Sequence, residues 1–76
     1  MSLEIQIKTI LNNFDSTHSN DFLRVLAEIM HEFKSNLTIE YLTSKIQKIK
    51  DLTDEAEKKK QCKLLFPYLD WYLQGL

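Results

Sequence analysis

The chain has 76 residues, a mass of 9.0 kDa and a formal net charge of −1, enough for one domain, with no global field to draw it onto nucleic acid or membrane. Its single cysteine excludes an internal disulfide, and two histidines cannot complete a four-ligand zinc site with it. A chain this short buries only ~60–65% of its unfolded surface, so stability has to come from closely packed helices or from a second chain.

A hydrophobic content of 43% beside 28% charge is the balance of a folded protein, not a disordered one. One glycine and one proline are too few for the tight turns of a small β-domain. The expectation is therefore all-α: one helical domain over residues 1–76, a compact bundle of four helices with a short C-terminal helix after Pro67. No apolar run approaches the ~18–20 residues of a membrane span, and Met1-Ser2-Leu3-Glu4-Ile5 lacks a basic-then-apolar leader layout. A lone Cys62 suits a reducing compartment, so a cytoplasmic address is expected.

Leu3, Ile7, Ile10, Leu11 and Phe14 fall on one face of a first helix, with Ser2 as its N-cap and Ile5 off that face. The polar stretch from Asp15 to Asn20 connects it to a second helix, capped by Ser19 or Asn20 and running to about Lys34. Phe22, Leu26, Ile29 and Phe33, widened by Leu23, Val25, Ala27 and Met30, give that helix a broad apolar arc. It is expected to be the centre of the core. Ser35-Asn36 breaks the pattern. A third helix begins at Thr38, with Leu37 and Leu42 as a hydrophobic staple and Ile39, Leu42, Ile46 and Ile49 as its seam.

Thr53 followed by Asp54 and Glu55 starts the fourth helix, since acidic residues favour a helix N-terminus. A single bent helix over 38–66 is the rival arrangement. Asp54–Lys58 and Glu55–Lys59 are spaced as favourable i,i+4 pairs on a solvated half-helix. Pro67 disfavours a helical Phe66 and places the last break at residues 66–67, with the final helix reaching about Gln74.

Chemistry-bearing constellations are sparse. Cys62 with His18 or His31 would make a thiolate–imidazole pair, but at the edge of an apolar run Cys62 reads as a buried, inert thiol. His31-Glu32 begins a zinc-protease pattern, but Ser35 stands where its second histidine is required. No glycine-rich loop is present to cradle phosphate. No enzyme activity, catalytic residue, metal, cofactor or small-molecule substrate is expected.

Charge is uneven. Residues 1–44 carry net −3, and residues 45–76 carry net +2 from seven lysines against five acids. Tyr41, Lys45 and Lys48 share a helix face, and with Lys58, Lys59 and Lys60 they make a candidate surface for DNA or RNA. Four acids interleave the lysines between 50 and 60, and no arginine stands there to read guanine, so the plain alternative is a solvated lysine face.

The strongest signal is aromatic. Four of the eight aromatic residues, Phe66, Tyr68, Trp71 and Tyr72, lie within seven positions, with Leu69, Leu73 and Leu76 sharing one side of the same segment. One small core cannot readily cover them all. Tyrosine and tryptophan supply large contact area at low entropy cost. The function expected from the sequence is a small protein-binding module of adaptor, inhibitor or immunity type. It would act through Phe66, Tyr68, Trp71 and Tyr72 on another protein, a second copy, or both. The alternatives are a tail that merely lids the core, and the DNA- or RNA-binding face.

Overall fold

Ser2 opens the first helix as its composition predicts: its hydroxyl accepts from the Ile5 N–H at 3.2 Å. The structure is a computed structural model that describes residues 2–75, and in it α1 runs Leu3–Asn12. A 3-10 turn, Phe14–Ser16, leads into α2, Ser19–Met30. Then come α3, Asn36–Lys50, α4, Glu55–Lys63, and α5, Phe66–Leu73. The chain is all-α, with no strand among the described residues.

The helix starts differ from expectation wherever a neighbouring side chain makes the better cap. His18, not Ser19 or Asn20, caps α2: its Nδ1 accepts from the Asn20 N–H at 3.1 Å, because the Ser19 hydroxyl is engaged elsewhere. Ser35, not Thr38, caps α3 by accepting from the Thr38 N–H at 3.3 Å. That shift puts Leu37 in the first turn and leaves it 78% exposed instead of stapled. Asp54 caps α4 through the Glu57 N–H at 3.2 Å, so α3 and α4 are separate helices and the bent-helix rival fails.

Two helix ends also move. α2 stops at Met30, short of Lys34, yet Phe33 stays buried. Consecutive tight turns, Glu32 N–H to the Ile29 carbonyl and Phe33 N–H to the Met30 carbonyl, keep the ring against the core. The last break falls at Leu64-Leu65 and not at 66–67. Pro67 lies in the first turn of α5, where a missing N–H leaves no bond unmade, and Phe66 is helical despite preceding it. Gly75, at φ 89, takes the left-handed position after the C-cap, and its N–H reaches the Tyr72 carbonyl at 3.0 Å.

One core results. α2 supplies Phe22, Leu23, Val25, Leu26 and Ile29 to its centre, and α1, α3, α4 and α5 all pack against it. Ile7 and Ile10, then Leu42, Ile46 and Ile49, line it from α1 and α3, as their spacing predicts, while Ile5 is 53% exposed. Cys62, Leu65 and Leu69 close it from the C-terminal third. Leu76, placed with Leu69 and Leu73 on sequence grounds, lies outside the described residues.

Candidate functional site

The aromatic tail divides between two clusters because a helix turns its residues by about 100° each. With Leu69 fully buried, Phe66 points inward, its ring edge-on to Phe14 at 4.7 Å and 5.9 Å from Phe22. Phe14 and Phe22 meet at 5.8 Å, closing a three-ring cluster over the α1–α2 connection. Tyr72 is half-buried against the core. Tyr68 and Trp71 lie on the other flank of α5.

There they join rings from two other places in the chain. Phe33 approaches Trp71 at 5.7 Å and Tyr68 at 6.1 Å, Tyr41 of α3 approaches Tyr68 at 6.2 Å, and Tyr68 lies 6.5 Å from Trp71. Phe33 is buried and acts as the floor. Tyr41 and Trp71 remain 46% and 49% exposed, unusually open for rings of that size. Burial pushes the Tyr68 phenol above its ordinary pKa, with a smaller contribution from Tyr41.

An exposed leucine extends the strip: Leu37 is one helical turn before Tyr41 on α3. Leu64 is also exposed, at the break between α4 and α5. Tyr41 therefore belongs with Tyr68 and Trp71, a union across 27 residues of chain that no local motif announces.

Of the six candidate nucleic-acid residues, Lys59 is taken into the fold. Lys45 and Lys48 follow Tyr41 along the same face of α3, and neither has a carboxylate partner among the described residues. Lys59 is engaged inside the fold: its ammonium donates to the Phe14 and Thr17 carbonyls and sits 4.3 Å from the centre of the Phe14 ring. Lys58 and Lys60 flank it on α4, half-buried and exposed respectively.

Lys59 is half of a polar clip that the sequence reading missed. The Glu55 carboxylate takes Oε2 to the Ser19 N–H at 2.8 Å and Oε1 to the Ser19 hydroxyl at 2.6 Å. His18 Nε2 lies 3.7 Å from the same Oε1. So Glu55 caps the N-terminus of α2 from α4, and in place of the Glu55–Lys59 pair expected within α4, Glu55 bonds Ser19 while Lys59 bonds the Phe14 and Thr17 carbonyls before α2. Asp54 likewise caps its own helix instead of committing to Lys58. The Ser19 bonds hold Glu55 below the usual carboxylate pKa, the hydroxyl contributing most.

Ser, His and Glu meet here, but Ser19 is fully buried and its hydroxyl donates to the carboxylate, not to His18. The arrangement holds two helices together and presents no nucleophile. Cys62 is fully buried too, and burial pushes its thiol up to about 11. Among the described residues no three or more His, Cys, Asp and Glu side chains are grouped to hold a metal ion, and no helix is long and apolar enough to cross a membrane. Compared with known proteins, the chain matches no family model, no curated protein and no solved structure.

Proposed function

We propose that this chain is a protein-binding module of the cytoplasm whose contact surface is the strip formed by Leu37, Tyr41, Tyr68 and Trp71. The observation that carries this reading is the convergence of two exposed aromatic rings, Tyr41 and Trp71, on one half-buried ring, Tyr68, over the buried Phe33. Water gains by leaving such a strip, and rigid aromatic anchors lose little entropy when they dock. Phe66 and Tyr72 serve this surface indirectly, by fixing α5 against the core so that Tyr68 and Trp71 face out.

Nucleic acid is the second reading, favoured by Lys45 and Lys48 beside Tyr41, which have no carboxylate partner among the described residues. Leu37 weighs against it, since an aliphatic side chain offers no face for a base to stack on. Affinity capture from the native host with the wild-type chain and with Tyr41→Ala/Trp71→Ala tests the first reading. A protein retained by the wild type and lost by that folded variant supports it. A gel shift on single-stranded RNA whose affinity falls steeply with salt, weakened by Lys45→Gln/Lys48→Gln, would replace it with the second.

A further inference from the structure

We propose that the occupant of the aromatic strip is an acidic amphipathic segment of a different protein, whose apolar side chains cover Tyr41, Tyr68 and Trp71 and whose carboxylates meet Lys45 and Lys48; this rests on the strip being a protein-binding surface. Beyond Tyr41 the α3 face turns basic. Lys45 and Lys48 follow at i+4 and i+7, about 6 Å and about 10 Å further along the helix axis. Neither has a carboxylate partner among the described residues.

The acids of the neighbouring turns are committed to neutral donors. Asp51 accepts from the Gln47 amide at 3.1 Å, and Glu57 accepts from the Gln61 amide at 3.4 Å. Asp54 caps α4, and Glu55 caps α2. Glu40, next to Tyr41 in sequence, lies about 100° away round α3. Two ammonium groups beside an apolar strip are thus left for a partner to neutralise, and carboxylates placed there would supply both attraction and register.

The other end of the strip sets the direction of docking. Trp71 sits against Phe33, which precedes α3, so it lies toward the α3 N-terminus and the two lysines lie away from it. There the charges balance or oppose: Glu32 and Lys34 flank Phe33 in sequence, and Asp70 lines a shallow depression with Pro67, Trp71 and Gln74. A docking segment therefore places its apolar anchors over Trp71 and Tyr68 and its acids past Tyr41. A nucleic-acid strand carries a phosphate at every step, and one stacked on Trp71 would bring phosphate to Asp70. A peptide can leave that end uncharged.

Three synthetic helical peptides test the proposal. They share one face of leucine and phenylalanine, contain no tryptophan, and carry Glu, Gln or Lys at the positions that follow the apolar face. Binding to the full chain is read as shielding of Trp71 emission from acrylamide. The Glu peptide should bind at least about tenfold more tightly than the Gln peptide, and the Lys peptide most weakly. Lys45→Glu/Lys48→Glu should reverse that order while leaving the helical circular dichroism unchanged. Should that variant lose its helical spectrum, the wild type decides by salt: the advantage of the Glu peptide over the Gln peptide must shrink as screening grows. Equal affinity for all three peptides, or an order that survives charge reversal or salt, overturns the acidic occupant and leaves the strip an apolar protein-binding surface. Failure of every peptide to shield Trp71 overturns it as well, and the protein-binding reading then rests on capture with the Tyr41→Ala/Trp71→Ala variant. Single-stranded RNA that shields Trp71 and displaces the Glu peptide assigns the lysines to phosphate and overturns both.

Discussion

Glu55 is the residue whose environment departs furthest from what its neighbours in sequence imply. Its lowered pKa has a defined consequence for stability. A carboxylate held below its unfolded value contributes stability above that value, near 4.5, and the contribution disappears as pH falls through the lowered folded value. Denaturant titrations should therefore show wild-type stability falling on the acid side of 4.5, with Ser19→Ala showing a smaller fall. At neutral pH, Ser19→Ala should cost about 1–2 kcal/mol, since it removes a buried donor to a charged acceptor. Cys62 runs the other way. Its thiol ionises at about 11 when folded and near 9.0 when unfolded, so stability should decline as pH rises above 9.0. In the native state it should react with a thiol reagent only as fast as the core opens.

At the scale of elements, α4 shows why polar side chains matter to a helix with one buried residue, Cys62. Lys59→Met should cost about 1–3 kcal/mol in a denaturant titration, because two carbonyls lose their donor and the Phe14 ring loses its cation. Lys58→Gln and Lys60→Gln should each stay within about 0.5 kcal/mol. Three adjacent lysines look alike in sequence, and only the fold separates them. What is local was legible: the Ser2 cap, the α1 face of Ile7 and Ile10, the broad arc of α2, the α3 seam, and a separate fourth helix opened by the acidic residues after Thr53. Each follows from spacing or from a side chain reaching its own backbone. The cap shifts to His18 and Ser35 turned on which of several competent residues was free, and Ser19 was not. The Glu55–Ser19 clip and the Tyr41–Tyr68 contact join residues 36 and 27 positions apart, and no helical periodicity reaches that far.

For the whole molecule, the central place of α2 predicts that Leu26→Ala or Ile29→Ala, both at fully buried positions, costs about 2–5 kcal/mol and unfolds much of the population of so small a domain. The tail has two functions at this scale. Leu65, Phe66 and Leu69 complete the core, and Tyr68 and Trp71 are left to face outward with Tyr41. An outward Trp71 that another protein surface covers is the central claim, and the chain's only tryptophan reports on it directly. Acrylamide quenching of its emission should be efficient for the chain alone and should fall when the protein captured from the native host covers the strip, with Tyr41→Ala remaining quenchable in its presence. An indole already shielded in the chain alone would mean that Trp71 belongs to the core. Equal accessibility with and without that protein would mean that the partner docks elsewhere.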